Sequence, residues 1–139
     1  PEVMITLAAA ATVTERVKLA PTVIVLPMHA ELLIAKQIAT LDVLSGGRVI
    51  LGVGVGAREE DYRAVDATFD NRRLGKMERQ IERMRRAWRG EIVVDGAQRP
   101  IEPLPLQSGG PELWAGSLFP QSIRRAARWA DGICGFSFA

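Results

Sequence analysis

The residues best suited to chemistry form a glycine-studded run, Gly52-Val53-Gly54-Val55-Gly56-Ala57, at the end of an apolar segment. Glycines so spaced let backbone N–H groups approach a phosphate, and a following helix would turn its positive N-terminal end toward the same anion. The run formally matches the dinucleotide pattern G-x-G-x-x-G/A, with Asp70 downstream at roughly the distance of a ribose-binding acid. A dinucleotide unit wants that acid at the end of a second apolar strand, whereas Asp70 lies in the polar stretch FDNRR. Three readings stand side by side: a Rossmann-type pyrophosphate site, a loop beside another cofactor, and glycines that relieve crowding where a strand packs under helices.

Two further places could hold a ligand. A bulge at Pro21-Thr22-Val23 would tilt backbone and side chains toward the open end of a sheet, although an edge irregularity reads the same way. Ala115-Gly116-Ser117 joins a strand to a helix and offers backbone N–H groups and a hydroxyl to an anion, as a generic strand-to-helix turn also would. His29, the one histidine, follows a strand end but reads more simply as a surface or capping group. No Ser/His/Asp set, paired catalytic carboxylates or metal spacing stands out, so no catalytic residue is named. The single Cys134 excludes an intrachain disulfide and a cysteine cage for zinc.

The elements that must position these residues follow from periodicity. Val3, Leu7, Ala10 and Ala11 predict a helix over 2–14. The span 16–26 predicts a strand interrupted by Pro21 and followed by Pro27. Leu33, Ile38, Leu41 and Leu44 predict the inner face of a helix over 30–44, ended by Ser45-Gly46-Gly47. A strand is expected over 48–53 and a short helix over 58–67. A long helix over about 72–89, capped by Asp70 or Asn71, would bury Leu74, Met77, Ile81, Met84 and Trp88. Residues 90–111, rich in Gly and Pro, predict a long loop with room for a brief strand at 92–94. A strand over 112–115, a helix over 121–130 and a strand over 132–136 complete the chain. Strands alternate with helices, which predicts an α/β fold with a parallel sheet and right-handed crossovers.

Composition bounds the rest. The 139 residues, 47% apolar, suffice for one domain with a core. The formal charge of +2 is too small to predict a polyanionic partner. The basic helix over 72–89 carries alternating acids and reads as a solvated face, not as a nucleic-acid patch. The longest apolar run, 19–28, is too short to span a bilayer and contains prolines. Cysteine usage and the lack of a signal peptide predict a reducing cytoplasm. The opening Pro1 predicts processing or a longer polypeptide.

Taken together, VKLAPTVIVLP (17–27), ATLDVLSGGR (39–48) and VILGVGVG (49–56) resemble the bacterial luciferase-like monooxygenases and their deazaflavin-dependent relatives. FDNRRLGKMERQIERMRRAW (69–88), PELWAGS (111–117) and IRRAARWADGI (123–133) add to the likeness in the expected order. The resemblance implies the central part of a (β/α)8 TIM barrel, about strands 3 to 6, with its site at the C-terminal face. It implies FMN or the deazaflavin coenzyme F-420 as cofactor. It also implies a bulge with a non-prolyl cis peptide at Thr22–Val23 backing the ring. By the same match Gly54, Val55 and Gly56 lie beside the cofactor, and Gly116 and Ser117 near its phosphate. Val55 stands where the luciferases proper carry a phosphate-binding arginine, which favours the deazaflavin branch. A complete barrel needs at least about 200 residues, so the first two strands are expected before Pro1 and the last after Ala139. The implied activity is hydride transfer between a flavin or deazaflavin and a small organic substrate, or monooxygenation by reduced flavin and O2. The alternatives are a truncated chain that binds flavin or a partner without turnover, and a Rossmann nucleotide-binding module. An open part-barrel should form a homo-oligomer, most simply a dimer.

Overall fold

The computed structural model describes residues 2–117 and 119–135. Helix α1 spans Val3–Val13; the Glu2 carboxylate caps it by accepting the Ile5 N–H at 2.7 Å, and Met4 and Ala11 face the core. The strand expected over 16–26 shrinks to β1, Ile24–Val25, with one isolated bridge from Leu19 to Val49. The prolines explain this. Pro21 has no N–H to give a ladder and contributes only its carbonyl, which accepts the Gly52 N–H at 3.1 Å. Pro27 then turns the chain into a single 3-10 turn, Leu26–Met28.

Helix α2, Glu31–Ser45, ends as its sequence predicts: Gly46 is left-handed at φ 69°, and the Gly47 N–H donates to the Asp42 carbonyl at 2.8 Å. Its inner face differs from expectation. Ile34, Ile38, Leu41 and Ser45, at spacings of four, three and four, are buried, whereas Leu33 and Leu44 are 58% and 57% exposed. The expected face had mixed residues from two adjacent stripes of the helix. Strand β2, Ile50–Gly54, is buried throughout, and the short helix α3 covers Glu59–Arg63. Arg48, just before β2, ties it to the end of α1. Its guanidinium donates to the carbonyls of Ala11, Thr14 and Val17, and its Nε to that of Ser45.

Helix α4, Arg73–Trp88, buries Met77, Ile81, Met84 and Trp88 as predicted, with Leu74 partly buried beside them. Neither Asp70 nor Asn71 caps it. The N-cap position is Arg72, and Asp70 Oδ1 accepts the Arg72 N–H at 2.9 Å in a turn one step earlier. No strand forms at 92–94, where the Val93 carbonyl is taken by the Arg83 guanidinium at 2.8 Å. The long loop is instead anchored by buried Asp42, which accepts the Gln107 N–H at 3.0 Å and its side-chain amide at 2.7 Å.

Strand β3 is Glu112–Gly116, helix α5 is Pro120–Ala126, shorter than expected, and strand β4 is Gly132–Cys134. Position 136 of the expected last strand lies outside the described residues. The strands form one sheet in the order β1-β2-β3-β4, every pairing parallel. Leu51, Val53 and Leu113 join residues of α1, α2 and α4 in one core cluster. Parallel strands covered by helices account for the unbroken apolar run of β2.

Candidate functional site

Register explains where the glycines lie. Gly52 pairs with Trp114 and Trp114 with Gly132, while Gly116 pairs with Cys134. Side chains alternate along a strand, so Gly52, Gly54 and Gly116 share the face opposite the one where Leu51, Val53, Leu113 and Ala115 are buried. The segment 21–25 is pressed against that glycine face. A Cβ at Gly52 would lie 2.6 Å from the Pro21 carbonyl oxygen, one at Gly54 3.1 Å from Val23 Cγ2, and one at Gly116 2.5 Å from Val23 Cγ1. Gly56, at φ 64°, has Val25 Cγ1 at 2.9 Å in the same sense. The strand glycines therefore do relieve crowding, but against the segment 21–25 and not under helices as expected. They let the Val23 side chain sit between two strand ends, beside a Thr22–Val23 peptide that is cis.

What this packing builds is a cavity of about 240 Å³ where two strand-to-helix turns meet. Val23, Gly54, Val55, Gly56, Gly116 and Ser117 all line it. Thr22 does not; its Cα and Cγ2 lie 3.3 and 3.4 Å from the Cβ position of Gly52. The walls are apolar: Leu74 and Met77 from α4, Ala126 from α5, then Phe119 and Trp129. Ser117 Oγ accepts the Phe119 N–H at 3.4 Å, which leaves its own hydrogen to donate. A second hollow of about 550 Å³ also touches Val23, and its polar lining is Glu2, His29, Gln37 and Asp61. His29 is exposed, and its backbone carbonyl accepts the Gln80 side-chain amide at 3.0 Å.

Three residues outside the expected set support the glycine loop. Tyr62, fully buried on α3, donates its hydroxyl to the Val55 carbonyl at 2.6 Å. Burial raises its pKa above the ordinary value, against the pull of the Arg73 guanidinium. Arg73 lies over the Phe69 ring at 3.6 Å and at 5.7 Å from the centre of the Tyr62 ring. Its Nε is buried without a hydrogen-bond partner, and it forms no ion pair among the described residues. The sequence signal was a single tyrosine in the charged stretch EEDYR and an arginine one turn beyond Phe69, neither of which shows periodicity.

The dinucleotide reading fails on geometry. Asp70 sits in the turn before α4 and not at the end of a strand beside β2, whose neighbours are β1 and β3. Among the described residues no group of three or more His, Cys, Asp or Glu could hold a metal ion. None of the residues lining the smaller cavity carries an acid or base. Its polar side chains are Ser117 and Ser122, beside the backbone of the two turns. Among the described residues no helix is long and apolar enough to cross a membrane.

Residues 1–138 match the family model described as luciferase-like monooxygenase. An uncharacterized protein of Mycobacterium tuberculosis is 36% identical over 137 residues, which cover 92% of this chain and 47% of that protein. The chain thus spans about half the length of this curated relative. The coenzyme F420 dependent tetrahydromethanopterin reductase of Methanopyrus kandleri superposes with a TM-score of 0.81 at 23% identity, over 97% of this chain and 44% of the reductase. The oxygenating constituent of 3,6-diketocamphane monooxygenase of Pseudomonas putida, in complex with FMN, gives a TM-score of 0.77 at 22% identity, over 95% of this chain and 42% of its own. These two likenesses identify the fold: the four-stranded parallel sheet is part of a TIM barrel.

Proposed function

The chain belongs to the luciferase-like monooxygenase family, and from that premise we propose that it forms the cofactor-binding middle of a flavin- or deazaflavin-dependent oxidoreductase. The carrying observation is the single cavity that gathers Val23, the glycine loop and the turn at Gly116-Ser117 at the C-terminal ends of parallel strands. One structural neighbour depends on F420 and the other holds FMN, and both cofactors join a flat ring to a chain that carries a phosphate.

The residues present fit the anionic end of such a molecule. The cavity, at about 240 Å³, is smaller than the roughly 300–1,000 Å³ of a whole-ligand pocket. It therefore takes the phosphate and part of the chain, with the ring lying past Val23. Ser117 and the backbone N–H groups of the two turns would hold the phosphate. Arg73, with its orphaned Nε one residue before the cavity-lining Leu74, supplies positive charge that Val55 does not. When bound, the cofactor would supply hydride or activated oxygen chemistry. The chain's own part is to orient the cofactor by packing Val23 behind it and to exclude water with Leu74, Met77, Phe119 and Trp129.

Titration with FMN and with F-420, followed by cofactor fluorescence, tests this. One of the two should saturate, and Ser117→Ala and Arg73→Gln should each weaken it. Saturation by neither would overturn the reading. A specific observation favours a second reading, in which the chain binds without turnover: the cavity lining has no ionisable side chain. Substrate-dependent consumption of reduced cofactor separates the two.

A further inference from the structure

We infer that the seam between α4 and α5, just outside the cavity, is a subsite for a second anionic group on the ligand's tail, beyond the phosphate; this rests on the cofactor reading above. Gly75 opens the seam. A Cβ there would have only two neighbours within 4 Å, Arg79 Nη1 at 3.5 Å and Arg125 Nη2 at 3.8 Å. An oxygen over Gly75 would lie between two guanidinium groups. The seam adjoins the cavity on both sides, because Leu74 and Ala126, the chain neighbours of Gly75 and Arg125, line it.

The charge balance favours an anion. Glu78 already grips Arg125, with its two carboxylate oxygens 2.6 Å from Nε and Nη2. Arg79 is exposed and forms no ion pair among the described residues, so the seam keeps one uncompensated positive charge. Glycine inside a helix costs about 1 kcal/mol relative to alanine, and a Cβ at half-buried Gly75 would meet nothing closer than ordinary contact. Folding therefore gives no reason to keep glycine here, whereas a ligand passing over the helix does. FMN ends at its phosphate and would not reach the seam. F-420 continues past its phosphate into glutamate residues, whose carboxylates have the required chemistry.

The test compares Gly75→Ala and Arg79→Gln with the unaltered chain in binding F-420 and FMN at low and moderate salt. Both substitutions should weaken F-420 by about two- to fivefold, the scale of one exposed charge pair, and leave FMN unchanged. Arg79→Gln should also flatten the salt dependence. Gly75→Ala should keep or raise the melting temperature, so a loss of binding is not a loss of fold. Equal losses for both cofactors, or none for F-420, would overturn the inference. If neither cofactor binds, the cofactor reading falls, and glutamyl-γ-glutamate with inorganic phosphate as control still decides the seam. The dipeptide should shift the Arg79 and Arg125 side-chain NMR signals in the unaltered chain, and at about two- to fivefold higher concentration in Gly75→Ala. No shift, or equal shifts with phosphate, would overturn it.

Discussion

At the scale of single residues, Val23 and Gly116 form the contact on which the cavity depends. A methyl at Gly116 would land 2.5 Å from Val23 Cγ1, so Gly116→Ala must displace the valine. Overpacking of this kind costs about 1–3 kcal/mol, and we expect that loss in chemical denaturation together with weaker cofactor binding. Val23→Ala removes the obstructing methyl groups, so the double variant should be more stable than Gly116→Ala alone. Simple additivity of the two losses would show that the contact does not constrain the site. Tyr62 gives a second residue-level expectation. Tyr62→Phe removes the one side-chain bond to the Val55 carbonyl, at a cost of about 1 kcal/mol. The Tyr62 pKa is raised, so the folded state holds its proton more tightly than the unfolded chain. Its stabilisation is complete below the ordinary value of 10.0 and is lost as pH rises through the raised value. The unaltered chain should show that alkaline loss and Tyr62→Phe should not. The glycines were legible in the sequence as a feature. A packing role was legible as one reading among three, but its partner was not, because the loop glycines meet Pro21, Val23 and Val25, some thirty residues earlier in the chain.

At the scale of elements, the same contrast between local and distant causes decides what the sequence could predict. The face of α4 and the stop at Gly46 were legible, since each follows from a short-range rule of spacing or φ. Of the strand expected over 16–26 only Ile24–Val25 forms; Pro21 marks an interruption in the sequence, but how much of the ladder survives depends on pairing with β2. No strand forms at 92–94, where the sequence left room for one; the Arg83 guanidinium, from another element, takes the Val93 carbonyl instead. That arginine also joins α4 to the start of α2. Arg83 Nη1 lies 2.8 Å from Glu31 Oε1, and Gln80 Nε2 bonds the adjacent His29 carbonyl. Burial works against the Glu31 charge, but its own backbone N–H and the Arg83 and Gln80 side chains outweigh it, leaving the carboxyl below the ordinary 4.5. A depressed carboxyl stabilises the fold above its unfolded value and ceases to do so as pH falls through the folded one. Melting temperature should therefore drop with acidification below 4.5 more steeply in the unaltered chain than in Glu31→Gln. Parallel acid limbs in the two proteins would remove this ion pair from the account of how α2 and α4 are held.

At the largest scale, the sheet of the described residues has two strand edges, and two kinds of surface could bring copies of this chain together. The first is the strand edges. These are short: β1 has two residues bounded by Pro21 and Pro27, and β4 has three. Short, proline-flanked edges are a recognised way to blunt edge pairing. The second is the outer surface of α1 and α2, where Ile5, Leu33 and Leu44 are 72%, 58% and 57% exposed around a groove of about 660 Å³. A two-fold pair buries each of these three side chains on both copies, six in all. At about 1.5–3 kcal/mol for each side chain fully covered, the six together contribute on the order of 10 kcal/mol. Association itself costs an estimated 4–15 kcal/mol, so the balance predicts a weak, concentration-dependent dimer and not a permanent one. We therefore expect sedimentation velocity to show a monomer–dimer equilibrium that Leu33→Glu or Leu44→Glu shifts to monomer. Arg124→Glu on α5, which does not line that groove, should leave the equilibrium in place. If the glutamate variants still dimerise, association runs through the strand edges, and a proline placed at Ile133 on β4 should then abolish it.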